Sequence, residues 1–422
     1  MSFPANEPPV DRPPVTADVA PPAAAAGGAA PAETVEGERQ TRIAGLRLPT
    51  ESLRAYTMLF ALVLIWLVFH WMSITEESPY GLFLTAENLT NLLKQMTVTG
   101  VLAVGMLMVI VAGQIDLSVG SVVGLAGAAA AMSQDWGLVP SLAVAILVGV
   151  GVGALQGSLV AYANVPAFIV TLGGLLAWRG MVLRLSRGET VPLQHPVFIS
   201  LGRDLLAPTI GYALAALAVA AIVVTNLRRN SARRRHGLAP SGAGATAARI
   251  IIPSVVIVAF VAYLNTRGGV PIPVVVLLAV ALVGAFLMRN TTFGRYLYAI
   301  GGNPDAARLS GLSLRRHILA AFCLLGALAG IAAILHTARL QAATPDAGTL
   351  MELDAIAACV IGGTSLMGGR GTVFGAIVGA LIMASLDNGM SLLNVENYTQ
   401  YIVKGAVLVA AVGFDMLGRR KG

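Results

Sequence analysis

Five carboxylates lie in or beside the long apolar stretches of this chain: Asp116, Glu352, Asp354, Asp387 and Asp415. Inside an apolar segment a carboxylate can carry a coupled proton or cation. At a helix start it can instead complement the positive end of the dipole. Glu352 and Asp354 open an apolar run, Asp116 precedes one, and Asp415 lies near the end of the last, so each admits a capping or interfacial reading as well as a transport role. Asp387, with Asn388 beside it, falls deeper within its run. Catalytic machinery is absent. No Gly-Lys dipeptide occurs, which excludes a P-loop, and no HExxH, GxSxG or dinucleotide fingerprint appears. The five histidines are scattered, and Cys323 and Cys359 read as small buried hydrophobes rather than metal or disulfide partners.

A second kind of chemistry is mechanical. The stretch Gly294–Leu312 sits between two apolar runs and reads as a short helix punctuated at both ends. Asn303 suits an N-cap, Pro304 the first helical position and Asp305 the positive end of the dipole. Arg308 lies towards the other end, and Gly311 supplies a left-handed residue after it. A helix of roughly two turns is marginal alone in water. It must lean on its own membrane domain or on another protein.

The elements that hold these residues are set by composition. The 422 residues are 56% hydrophobic and 12% charged, with a mean hydropathy of +0.77. A soluble domain is roughly 25% charged, so the chain is expected to be an all-α polytopic membrane protein. The net charge of +7 rests almost wholly on arginine and reads as an orientation signal, not as a nucleic-acid surface. About twelve apolar runs, within a range of 10–14, approach the ~20 residues a span requires: 55–72, 96–112, 117–133, 139–163, 168–185, 209–227, 249–265, 272–288, 317–338, 353–367, 373–391 and 400–417. Those at 96–112, 117–133 and 353–367 are short enough to be re-entrant or broken.

With twelve spans, the arginines at 39–54, 228–235, 289–316 and 419–420 all fall on one side, which the positive-inside rule makes cytoplasmic. Both termini are then cytoplasmic. Residues 1–53, rich in Pro and Ala, read as a disordered cytoplasmic tail ahead of a transmembrane domain at 54–422. That domain carries a basic cytoplasmic loop at 228–248 and a second cytoplasmic loop at 289–316. Glycines such as Gly149, Gly153, Gly157, Gly375 and Gly379 suit close helix approach. Gly113–Gly120 and Gly362–Gly369, each followed by a small-residue run, form a faint internal echo. Val165-Pro166 reads either as a broken helix or as an ordinary turn.

Four passages carry a resemblance: Gly113–Ser121, Asn164–Gly174, the stretch 294–312, and Glu352–Leu366 with Gly368–Val373. In these the chain resembles the permease subunits of bacterial ATP-binding-cassette sugar importers, the ribose, arabinose and xylose group, and is most similar to the xylose permeases. Gln114 departs from the family, which commonly has a second glycine there. The resemblance implies a multi-pass permease homodimer in the bacterial inner membrane. It would form the translocation path for a monosaccharide, xylose or a related sugar, delivered by a periplasmic sugar-binding protein. It implies no enzyme activity and no cofactor in this chain, since ATP and Mg would sit on a separate ATP-binding cassette subunit. The stretch Gly301, Gly302, Asn303, Pro304, Asp305, Ala306, Ala307, Arg308, Leu309, Ser310 and Gly311 would be the coupling element docked on that ATPase. Arg295, Arg308, Arg315 and Arg316 would either steer an acidic partner surface or fix orientation. Gln114, Asp116, Asn164, Thr171, Asp387 and Asn388 are path candidates. The rival classes are an ion-coupled secondary sugar transporter and a passive channel.

Overall fold

The computed structural model describes residues 40–43, 46–76, 78–236 and 242–420. Most of the expected tail (1–39 and 44–45), Glu77 and Lys421 lie outside the described residues. Within that tail, β1 (Gln40–Ile43) pairs antiparallel with β2 (Leu46–Pro49), in a unit of its own spanning 1–50. Two four-residue strands leave too faint a trace for a composition reading of 53 residues to reveal.

The second unit is helical. Its chain order begins with α1 (Thr50–Met72), α2 (Ala86–Val111), α3 (Val119–Met132), α4 (Leu138–Ala161) and α5 (Ala167–Ser186). The two-residue strand β3 (Val191–Pro192) and α6 (Pro196–Arg203) lead to α7 (Pro208–Arg235), α8 (Ala243–Asn265) and α9 (Ile272–Asn290). Then come α10 (Thr292–Gly302), α11 (Pro304–Leu309), α12 (Leu314–Leu340), β4 (Ala342–Ala343), α13 (Met351–Ile361), α14 (Val373–Leu392) and α15 (Asn397–Arg420).

Each of the twelve apolar runs coincides with one of these helices. Among the described residues, eight of them are long and apolar enough to cross a membrane: α2, α4, α5, α7, α8, α9, α12 and α14. α3 and residues 57–72 of α1 are shorter apolar helices, and α13 has only 11 residues. The run at 96–112 is not short, because α2 begins ten residues earlier. Its first turns carry Asn88, Thr90 and Lys94, which depress the hydropathy without breaking the helix, and Thr85 caps it by accepting from the Asn88 N–H. The basic loop at 228–248 also shrinks, since Arg228–Arg235 belong to the last turns of α7.

Glycine sets the packing. A Cβ on Gly149 would collide with the Gly326 carbonyl, and one on Gly153 with that of Phe322, so α4 and α12 approach backbone to backbone. Gly375 and Gly379 do the same for α14 against Gly362 and Ala358 of α13. α2 runs through the middle, the most buried of the span-length helices, against α12, α14, α13 and α9.

Polar contacts sort the loops to two ends of the bundle. At one end Gln134 Nε2 donates to the Pro192 carbonyl, β3 pairs with β4, and Lys94 donates to the Arg203 carbonyl. At the other, the segments 112–118, 291–303 and 362–372 meet.

Candidate functional site

The stretch 294–312 forms two helices, not one. Thr291 caps α10 by accepting from the Gly294 N–H at 3.4 Å. α10 turns Gly294, Leu297 and Ile300 inward. His317, at the start of α12, stacks on Phe293 and meets Tyr296 edge-on, and the Tyr298 hydroxyl donates to the Gly371 carbonyl at 2.7 Å. α10 is thereby fixed to the bundle.

α11 is different. Asn303 Oδ1 accepts from the Ala306 N–H at 2.9 Å, Pro304 and Asp305 stand in the first turn, and Gly311 follows with φ +80°. The capping reading holds at each position. Of its residues only Ala307 is buried. Asp305, Arg308 and Ser310 are exposed, and Leu309 is 89% exposed. Arg295, Arg315 and Arg316 are exposed as well.

The foot of this helix pair rests on backbone alone. Gly369 donates its N–H to the Val111 carbonyl at 2.9 Å, and a Cβ on Gly301 would collide with that same carbonyl and with the Gly369 nitrogen. Gly302, one residue on, faces open space. The loops after α2 and α13 are built alike. Gly113 and Gly363 each take a left-handed φ, +77° and +86°. The next residues, Gln114 and Thr364, donate to the carbonyls of Val109 and Cys359, five residues back, at 3.0 and 2.9 Å. The internal echo is therefore a shared helix cap, shifted by one residue from the Gly113/Gly362 alignment the sequence suggested.

The other candidate residues form two groups. Near this end Asp116 is buried and accepts from both the N–H and the hydroxyl of Ser118 at 2.7 Å, while Gln156 Nε2 donates to Ser118 Oγ at 2.8 Å. That suits the capping reading of Asp116, just ahead of α3. A cavity of about 10 Å³ beside Asp116 and Gln156 is about the minimum for one water. Gln114 is half-buried. Thr171 donates to the Ala167 carbonyl within its own helix and also reaches that of Ile115. Asn164 is exposed with φ 55° in the turn before Pro166, which resolves the Val165-Pro166 alternative as an inter-helix turn.

Asp387 and Asn388 belong to the far end. Asn388 pairs with Asn88, which lies 23 residues before Val111 on α2, about 35 Å at 1.5 Å per residue. Asp387 Oδ1 is 2.9 Å from Lys404 Nζ, which is 3.1 Å from Asp354 Oδ2. Sequence reading singled out Asp387 but not its lysine, and left Asp354 open between a capping or interfacial reading and a transport role. The three residues sit on three helices, and no spacing in the chain joins them. Trp66 Nε1 of α1 donates to Ser385 Oγ of α14 at 2.9 Å. Among the described residues no group of three or more His, Cys, Asp or Glu could hold a metal ion.

Comparison with known proteins gives a consistent picture. The chain is 43% identical over 377 residues to the xylose transport system permease protein XylH of Escherichia coli (strain K12), covering 89% of this chain and 94% of that protein. It is 42% identical over 378 residues to XylH of Haemophilus influenzae, covering 89% and 99%. It is 35% identical over 385 residues to the ribose import permease protein RbsC of E. coli (strain K12), covering 91% and 98%. No solved structure matches. Residues 88–412 match the family model described as the permease component of branched-chain amino acid transport systems. With a bundle of span-length helices, the chain belongs to that family of transport permeases.

Proposed function

We propose that the chain is the membrane-spanning subunit of an ATP-driven sugar importer, forming the path for xylose or a related monosaccharide. The observation that carries this reading is α11: a capped, six-residue helix with an almost fully exposed Leu309, rooted through Gly301 in a rigid backbone junction. An exposed apolar anchor on a short, fixed helix is what a groove on a partner protein would take. The similarity to XylH supplies the sugar.

In this reading 301–311 faces the cytoplasm and docks on an ATP-binding cassette subunit. ATP and Mg act there, not in this chain. A periplasmic sugar-binding protein engages the end that carries β3, β4 and α6. The permease works as a homodimer in the bacterial inner membrane, with twelve traversals and both termini cytoplasmic. That parity agrees with the two-ended sorting of loops. A movement of the docked helix is delivered through Gly301 to the end of α2 and the loop between α13 and α14 together, and so opens or closes the path.

Proteoliposomes holding the permease, its ATPase and its binding protein test this. ATP-dependent xylose uptake is expected, and Gly311→Pro or disruption of 303–310 abolishes it while the chain still inserts. Normal uptake in those variants would sink the coupling role. The Lys404 ion cluster is a feature an ion-coupled secondary transporter would share. Uptake by this chain alone, driven by a sodium or proton gradient without ATP, would favour that class, and ungated equilibration would favour a channel.

A further inference from the structure

Lys404 joins two carboxylates within the helical bundle, and its surroundings open outward. Lys404 lies seven residues into α15, about 10 Å below the start of that helix. Asp354 comes from the first turn of α13 and Asp387 from the last third of α14. The side chains of Lys404, Asp354 and Asp387 are 19%, 12% and 15% exposed. The cluster thus borders a surface instead of being sealed in the core. Its formal charge is −1, and a cavity of about 270 Å³ lies against it, lined by Asp354 and Lys404 together with Leu353, Met383 and Tyr401. Tyr401 is 54% exposed at its edge. Asp387 holds Lys404 from the α14 side.

A charged side chain facing hydrocarbon costs on the order of 3 kcal/mol at a helix centre, and such residues face protein or water instead. Two of them, Asp354 and Lys404, line this opening, with Asp387 behind Lys404, and mark it as wet. The volume is close to the roughly 300 Å³ at which small-molecule pockets begin. The chemistry selects the occupant. Carboxylate oxygens accept from hydroxyls, an ammonium donates to them, and Tyr401, Leu353 and Met383 offer a flat apolar wall for C–H groups. A neutral polyol satisfies all of these. An anion meets the negative excess, and a purely apolar ligand offers nothing to the carboxylate oxygens left over from the two ion pairs.

We propose that this groove between α13, α14 and α15 is a wall of the aqueous path and a binding subsite for the transported sugar. Asp354 and Lys404 contact its hydroxyls, and Tyr401 covers one face. The proposal rests on the importer reading and narrows it to one face of the permease. It adds Asp354, Lys404 and Tyr401 to the path and makes Asp387 a positioning residue for Lys404.

The test uses the full chain with its partner subunits, in a Cys323→Ala, Cys359→Ala background carrying Tyr401→Cys, Leu353→Cys or, as a lipid-facing control, Val409→Cys. Labelling by a charged, membrane-impermeant thiosulfonate is expected at positions 401 and 353 and not at 409. Xylose at ten times its Kd slows labelling at position 401 by about tenfold, the factor 1 + [L]/Kd. Three results overturn the proposal: no labelling at 401 and 353, labelling that neither xylose nor ribose slows, or ready disulfide formation between two copies of the Tyr401→Cys variant. Should the background variant misfold, hydroxyl-radical oxidation of Tyr401 in the unsubstituted chain, with and without xylose, gives the same decision. ATP-driven uptake by the unsubstituted complex is measured alongside. Uptake with an unprotected Tyr401 sinks only this subsite, whereas absent uptake sinks the importer reading.

Discussion

Asn88 and Asn388 hold each other by both amides, Asn88 Nδ2 donating at 2.8 Å and Asn388 Nδ2 returning at 3.0 Å. The pair ties the start of α2 to the end of α14. Asn88 also reaches the carbonyl of Phe83, which stacks on Phe69 of α1. Asn88→Leu or Asn388→Leu alone strands a largely buried amide, at a cost of about 1–3 kcal/mol. Together they should cost less than their sum. A double-mutant cycle in detergent is expected to give a coupling of about 0.6 kcal/mol, and at most ~1.7. Strict additivity would show that the amides do not interact.

Gly301 and Gly302 are adjacent but should respond oppositely. Gly301→Ala drives a methyl into the Val111 carbonyl and is expected to lower stability by about 1–3 kcal/mol. Gly302→Ala meets nothing and should stay within about 0.5 kcal/mol of the parent. Thermal unfolding of the two purified variants distinguishes them, and equal melting temperatures would contradict the junction.

Removing Lys404 leaves Asp354 and Asp387 facing each other without their cation. Lys404→Met should destabilise by about 3 kcal/mol. The triple neutral variant Lys404→Met, Asp354→Asn, Asp387→Asn should recover most of that loss, because no uncompensated charge remains. Unfolding in denaturing detergent reads both. A triple variant no more stable than the single one would mean that the lysine contributes by packing, not by charge.

α11 separates stability from coupling. Leu309→Asp touches nothing in the bundle, so the melting temperature should hold while ATP-driven uptake falls at least about tenfold, ~1.4 kcal/mol of lost docking. Asn303→Ala removes the cap and should cost about 1 kcal/mol of local helix stability. It is expected to reduce uptake partially. An unaffected Leu309→Asp would place the partner's groove elsewhere.

Much of the fold was legible in the apolar runs, since a span-length hydrophobic stretch has little choice but helix in a bilayer. What the runs hid were helices with mixed faces. α6 and α10 are amphipathic, and the polar first turns of α2 fell below the hydropathy of its remainder. The caps of α11 were readable because Asn303, Pro304 and Gly311 act on their own neighbours in sequence. The ion cluster was not, because Lys404 meets residues 17 and 50 positions away. Nor was the junction of Val111, Gly301 and Gly369, which uses no side chain and so leaves only glycine as a trace.

That junction has a mechanical consequence. Side chains between two moving parts act as springs: they change rotamer, and a push spends itself in the change. Where Gly301 bears on Val111 and Gly369 there are no rotamers to yield, so the contact has almost no compliance. A displacement of α10 should reach α2 and the loop between α13 and α14 nearly undiminished and without delay. The glycines make the joint behave less like a cushion than like a keyed shaft.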